Sequence, residues 1–283
     1  MRFARVKDVV LHYRIDGPGP APTLVFANSL GTDFRIWDGL LDHLGRRFRA
    51  IRYDKRGHGL SDNGPDSGSD SGPDSGPDGA AAPCSIADHV GDLAGLLEHL
   101  GVERAVVVGL SIGGMIAQGL AAARPDLVRA LVLCDTGHRI GSPGLWEERM
   151  AAIRSGGIEA LAEPILERWF SARYRAERPD ELAGWRNMLV RTPRAGYLGS
   201  CAAIRDADLG DAARGLAVPT LCLCGSEDAA TPPGVVRALA ERIPGARFAL
   251  IEGAAHLPCI EAPETLARLM LSFVEEQALV QGV

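Results

Sequence analysis

Only two of the 283 residues are lysines, Lys7 and Lys55, and acidic side chains outnumber basic ones by 36 to 30, leaving a formal charge of −6. A chain that grips nucleic acid ordinarily carries a basic excess, so this balance argues against such a partner. No uninterrupted apolar stretch has the length needed to cross a bilayer. The opening MRFARVKDVVLHYRIDG alternates charged and apolar residues and lacks the continuous apolar centre of a signal peptide, which makes the cytoplasm the expected location. A disulfide framework and a metal-ligand spacing are missing as well. The six cysteines (Cys84, Cys134, Cys201, Cys222, Cys224, Cys259) are scattered, with no Cys-x-x-Cys, and are expected to be free thiols. Cys222 and Cys224, two apart in PTLCLCG, share one face of a strand and read as small buried residues rather than metal ligands.

What is present is the composition of a globule with a sizeable core, 46% hydrophobic and 23% charged. Apolar runs LHYRI, TLVFA (23–27), RAIRYD (49–54), the run ending at Ser111, ALVLCD (130–135), PTLCLCG (219–225) and ARFALIEG (246–253) read as strands. Helical patterns lie between them. One carries Trp37, Leu40, Leu41 and Leu44. Another opens at Ser85 with Asp88 three places on, a short form of the capping box, and is stopped by Gly101. Further helices are expected over Val235–Ile243 and from Pro263 to Glu276. Alternating strands and helices predict an α/β fold with a mainly parallel sheet covered on both faces.

Two segments interrupt the rhythm. Residues 137–205 hold helical patterns and no strand, with 11 arginines against 8 acids over 139–205. They are expected to form a helical lid over the carboxyl ends of the strands, where open α/β sheets bind ligands, on a core made of 1–136 and 206–283. The local positive charge hints at an anionic ligand. Residues 62–83 place Asp62, Asp66, Asp70, Asp74 and Asp78 four apart among glycines and prolines that forbid a helix. They read as a disordered acidic loop.

The chemistry centres on Gly109-Leu110-Ser111-Ile112-Gly113, a G-x-S-x-G elbow between an apolar β-branched run and a helical pattern. The glycines let the turn close and expose a hydroxyl at a helix N-terminus. A serine hydroxyl needs a base, and the base needs an orienting acid. In this arrangement they follow the serine in the order acid, then histidine. His256 in GAAHLP and Asp228 in GSEDAATPP both fall just past strands, at the sheet end where Ser111 lies. Asp135, at the end of ALVLCD, is a rival for the acid. His58 in RYDKRGHGLSD (52–62) is read instead as part of a Gly-rich turn braced by Asp54 and Arg56. The tetrahedral intermediate requires two oxyanion donors. One is expected to be the backbone N–H of Ile112. The other is expected on the loop after TLVFA, at the Leu30 N–H.

With these residues assembled, the chain resembles the α/β-hydrolases, and within them the 3-oxoadipate enol-lactone hydrolases of the β-ketoadipate pathway. The narrower resemblance rests on ANSLGTDFRIW (27–37), CDTGHRIGSPGLW (134–146), ERWF (167–170), GYLGSCAAIRDADL (196–209) and DAATPP (228–233). Where many relatives carry His-Gly, this chain has Asn28-Ser29, and the acidic tract replaces a short connection. The resemblance implies a carboxylic ester hydrolase that opens a small anionic lactone through a serine acyl-enzyme without metal or organic cofactor. It implies a guanidinium for the substrate carboxylate, with Arg139 the first choice and Arg186 or Arg149 next, and Trp146 as an apolar wall. A general carboxylesterase or cofactor-free perhydrolase of the same fold, and a non-catalytic ligand-binding homologue, are the alternatives.

Overall fold

The run AVVVGL, buried along its whole length, is an inner strand of an eight-stranded sheet. The computed structural model describes residues 1–19, 21–64 and 84–277. Its strands are β1 (Arg2–Val6), β2 (Val9–Asp16), β3 (Thr23–Ala27), β4 (Arg49–Tyr53), β5 (Ala105–Leu110), β6 (Val128–Cys134), β7 (Thr220–Gly225) and β8 (Arg247–Ile251). They lie in the order β1-β2-β4-β3-β5-β6-β7-β8. The first two pairings, β1 with β2 and β2 with β4, are antiparallel, and every pairing from β4 to β8 is parallel.

The sheet is one strand wider than its apolar runs announce. In β1 only Ala4 and Val6 are buried, between exposed Arg2, Phe3 and Arg5, so its inner face is too small to stand out in the sequence. A two-residue turn at Lys7-Asp8, with Lys7 at φ +51°, folds it back on β2.

Helices α1 (Asp38–Leu44), α2 (Ile86–His99) and α3 (Ile112–Ala123) precede the inserted segment. Within that segment lie α4 (Pro143–Gly156), α5 (Ala162–Trp169), α6 (Ala172–Glu177), α7 (Pro179–Val190) and α8 (Arg194–Asp206). After it come α9 (Gly210–Arg214), α10 (Pro233–Arg242), α11 (Pro258–Glu261) and α12 (Pro263–Glu276). α2, α3, α9 and α10 form one layer, while α1 packs with α11 and α12 in another. The apolar faces of both layers close on the sheet, the division that parallel strands linked by helices impose. Ser85 caps α2 as its sequence predicts, its hydroxyl accepting from the Asp88 N–H while the Asp88 carboxylate accepts from the Ser85 N–H. Such a cap contributes about 0.5–2 kcal/mol.

Of the acidic tract, residues 65–83 lie outside the described residues. At its start, the Asp62 carboxylate accepts from the Val10 N–H at 3.0 Å. No helix among the described residues is long and apolar enough to cross a membrane.

Candidate active site

β5 ends at Leu110 and α3 begins at Ile112, so the whole reversal falls on Ser111. It takes φ +59° and ψ −121°, a conformation that costs a non-glycine residue about 1–3 kcal/mol. The neighbourhood holds it there: the Ser111 N–H donates to the Cys134 carbonyl at 3.1 Å, and the Thr136 hydroxyl donates to the Ser111 carbonyl at 2.7 Å. The flanking glycines allow the crossing. A Cβ on Gly113 would stand 2.0 Å from the Ala27 carbonyl oxygen, and one on Gly109 would stand 2.3 Å from that of Gly113. The Ile112 N–H is among the first four that a helix leaves without an internal acceptor, and it adjoins the serine.

His256 stands on the loop after β8 and Asp228 on the loop after β7. The His256 Nδ1 lies 2.9 Å from the Asp228 Oδ2, with both residues buried. The carboxylate is held from three further directions. Its Oδ1 accepts from the Ala230 and Thr231 N–H groups, and its Oδ2 accepts from the Thr231 hydroxyl. Burial opposes ionisation of Asp228, but the His256 ring and the Thr231 hydrogen bonds outweigh it and hold the pKa down at about 2. Asp135 behaves oppositely. It is fully buried at the end of β6, one oxygen accepts from the Gly225 N–H at 2.8 Å, and the other meets no partner. Burial and the adjacent Asp228 charge push its pKa well above the carboxylate range. The sequence favours Asp228 over its rival Asp135, and the geometry separates the two: the Asp228 carboxylate meets the histidine, whereas Asp135 sits behind it on the Gly225 N–H with its ionisation disfavoured by burial and by Asp228.

One ligand atom each from Asp135, Cys224 and Asp228 falls within 4.8 Å of the others, the one metal-sized cluster among the described residues. It makes a poor cation site, because the Asp228 oxygens are already engaged by His256, Thr231 and Ala230, and burial disfavours the charged forms of Cys224 and Asp135.

The loop after β3 faces Ser111 across a cavity of about 520 Å³, lined on the sheet side by Ser29, Leu30, Ser111, Thr231 and His256. The loop is anchored at several points. The Asn28 amide donates to the Tyr53 carbonyl and accepts from the Trp37 indole. The Gly31 N–H donates to His58 Nε2 at 3.0 Å, which fixes His58 as a brace with its Nδ1 proton directed at the Arg56 carbonyl, 3.1 Å away. Asp54 accepts from His12, Phe34 and Leu60, and Arg56 grips Asp92 through two nitrogens. No acceptor among the described residues takes the Leu30 N–H.

The inserted helices roof this cavity. Trp146, Arg149, Ile165, Arg168, Trp169 and Tyr197 line it from α4, α5 and α8. Trp146 is buried, its indole donates to the Ile140 carbonyl, and the Arg149 guanidinium lies over its ring at 5.0 Å. Neither Arg149 nor Arg168 has an ion-pair partner among the described residues. Burial lowers the pKa of Arg168, and the positive charge of Arg149 lowers it further, as expected of two cations facing one space.

Comparison with known proteins agrees with this architecture. Residues 22–263 match the family model for the alpha/beta hydrolase fold. The chain belongs to the α/β-hydrolase family. Among curated α/β-hydrolase relatives, 3-oxoadipate enol-lactonase 2 of Acinetobacter baylyi is 28% identical over 258 residues, 91% of this chain and 90% of that protein. Among solved structures, the enol-lactonase of Burkholderia xenovorans LB400 is 38% identical with a TM-score of 0.88, covering 97% of this chain and all of that one. A thermophilic esterase from Thermogutta terrifontis is 27% identical with a TM-score of 0.85, covering 98% of this chain and 99% of that one.

Within this α/β-hydrolase, the cavity brings together Ser111, His256, Leu30 and Trp146, with Asp228 behind His256. Arg139 is not brought to it. It is half exposed beside Asp208, 3.7 Å away, and His138 pairs with the same carboxylate at 3.0 Å. The expectation that Arg139 meets the substrate is corrected on that ground: the turn before α4 directs it along the rim. Arg149 and Arg168 line the cavity instead. The helical spacing of the lid arginines does not reveal this, since the lid's orientation is set by packing on the core. Glu261 also escapes the sequence. Its carboxylate accepts from the Ser171 N–H and hydroxyl and from the Ala255 N–H, tying the lid to the residue before His256. These groups are 90 residues apart in one case and 6 in the other, and no motif links them.

Proposed function

We propose that the protein hydrolyses 3-oxoadipate enol-lactone to 3-oxoadipate through an acyl-enzyme on Ser111, in cytoplasmic catabolism of aromatic compounds. The observation that carries the substrate class is the unpaired couple Arg149 and Arg168 lining the same cavity as Ser111 and His256. Glu148 is the one carboxylate among the lining residues, and two guanidiniums that make no ion pair among the described residues leave the cavity complementary to an anionic ligand. The likeness to enol-lactonases in sequence and in structure supports the narrower identity.

In this reading His256 Nε2 takes the Ser111 proton as Oγ bonds to the lactone carbonyl carbon. The Leu30 and Ile112 N–H groups receive the oxyanion. Collapse breaks the ring C–O bond and expels an enolate oxygen, which takes the proton back from His256 and tautomerises to the ketone. Water then gives a proton to His256 and its hydroxyl to the acyl carbon, the C–Oγ bond breaks, and Ser111 Oγ takes the proton back from His256 as the second carboxylate leaves. A general carboxylesterase is the second reading, favoured by the likeness to the Thermogutta esterase. Parallel assays with the enol lactone and p-nitrophenyl acetate separate them. Rapid loss of the lactone with slow ester cleavage is the expected result, and rapid ester cleavage with an inert lactone overturns the substrate assignment.

A further inference from the structure

Lys55 is one of only two lysines in the chain, and it is 1% exposed. It follows β4, the neighbour of β3 in the sheet, so its side chain rises beside the loop that follows β3. There its ammonium donates to the Ser29 carbonyl at 2.6 Å and to the Thr32 carbonyl at 3.4 Å. The Ser29 carbonyl also accepts from the Thr32 hydroxyl at 2.9 Å and from the Thr32 N–H at 3.4 Å. Three donors thus converge on a single carbonyl oxygen, one of them a buried cation.

That oxygen belongs to the same peptide unit as the Leu30 N–H. In a peptide, density drawn onto the carbonyl oxygen comes from the nitrogen through the partial double bond. Donors on the oxygen therefore make the N–H a stronger donor, and a charged donor in a dry setting does so most. The Leu30 N–H is left without an acceptor among the described residues and borders the cavity. We infer that Lys55 is a positioning residue for the oxyanion: its ammonium polarises the Ser29–Leu30 peptide and strengthens the Leu30 N–H toward the tetrahedral intermediate. The inference rests on the serine-hydrolase reading of the site, but not on which ester or lactone is the substrate.

The charge on Lys55 is sensitive to pH. Burial draws its pKa down to about 7, against the pull of Asp54 and Asp33 upward. The other titratable groups around it are His58 and His89, both buried and both shifted toward the neutral form, partly by Lys55 itself. Below about pH 7 the peptide faces an ammonium, and above it a neutral amine that polarises less.

The test is the pH dependence of kcat and KM for p-nitrophenyl acetate, followed at the isosbestic wavelength, in the wild type, Lys55→Met and Lys55→Arg, with fluorophosphonate labelling of Ser111 in each. In the wild type kcat is expected to fall about tenfold along an alkaline limb, less than the loss of an oxyanion donor outright, with KM unchanged within about twofold. Lys55→Met should show the low rate throughout and lack the limb. Lys55→Arg, which keeps its charge, should hold its rate to higher pH than the wild type. A wild-type kcat that is flat through the alkaline range overturns the inference without recourse to any variant, as does a limb that persists in a folded Lys55→Met protein. Absence of labelling at Ser111 would overturn the serine-hydrolase reading and this inference with it, whereas labelling with a flat profile overturns this inference alone.

Discussion

The Asp228 carboxylate and the His256 imidazole meet at 2.9 Å out of solvent, while Asp135, from the end of the next strand, turns its carboxyl to the Gly225 N–H. The division of labour between the two acids is testable by amide substitution. Asp228→Asn should lower kcat by about 10³–10⁴-fold, since the amide no longer orients and charge-stabilises the ring. Asp135→Asn replaces a carboxyl whose ionisation burial and the Asp228 charge disfavour, and which makes no contact with His256, so it should keep kcat within about threefold. Steady-state kinetics on both variants decide the point, and a larger loss in Asp135→Asn would reverse the assignment.

The depressed pKa of Asp228 has a consequence for stability. Its folded value of about 2 lies below the ordinary carboxylate value, so the ionised form is favoured by folding. The gain is complete above about pH 4 and is lost as pH falls through about 2, amounting to about 2–3 kcal/mol. Denaturant unfolding of the wild type and Asp228→Asn should differ by that order at pH 6 and converge near pH 2. Curves that stay equally far apart at both values would exclude the linkage.

Arg149 and Arg168 line the cavity and Arg139 does not. Arg149→Ala and Arg168→Ala should each cost about tenfold or more in kcat/KM for the enol lactone, the order of one hydrogen bond to a charged group. A neutral lactone of the same ring should lose little. Arg139→Ala should stay within about twofold on both substrates, because an exposed ion pair contributes little. Equal losses on charged and neutral lactones would show that the two arginines support the lid rather than the ligand.

Glu261 joins the lid at Ser171 to the histidine loop at Ala255. Glu261→Ala leaves both N–H groups without that acceptor, at about 1–3 kcal/mol each if water does not replace it. Scanning calorimetry should show Tm lowered by several degrees, and KM should rise as the lid loosens. Glu261→Gln, which can still accept, should recover most of the Tm. An unchanged Tm in the alanine variant would mean that solvent satisfies these groups.

The elbow was legible because its requirements are local. A strand that turns on one residue into a helix leaves no room for Cβ atoms at Gly109 and Gly113, so the glycines around Ser111 are written into five consecutive positions. The strands β3, β5, β6 and β7 were legible for a similar reason, since burial on both faces demands an unbroken apolar run. β1 was not, because an edge strand with two small inward residues leaves so faint a pattern. The chain order of Asp228 and His256, placed just past the apolar runs of β7 and β8, was enough to bring both to the sheet end that carries Ser111.

Chain order favoured Asp228 over Asp135, but the side-chain directions that separate the two were beyond the sequence. Both end a strand on the same side of the sheet, and only the direction of each side chain distinguishes a partner of His256 from a carboxyl hydrogen-bonded to Gly225. The same holds for the lid arginines and for Lys55 and Glu261. Eleven arginines over 139–205 state that the lid is basic, but which of them reach the cavity depends on how α4 and α5 are rotated as they pack on the core, and that rotation is fixed by contacts with residues far away in the chain. Lys55 reaches the Ser29 carbonyl across 26 residues of sequence because parallel pairing lays β4 beside β3. Local sequence determined the fold class and the turn at Ser111, where steric demands are confined to neighbours. The partners of each charge were decided only by the tertiary structure, because an electrostatic partner is selected by distance in space.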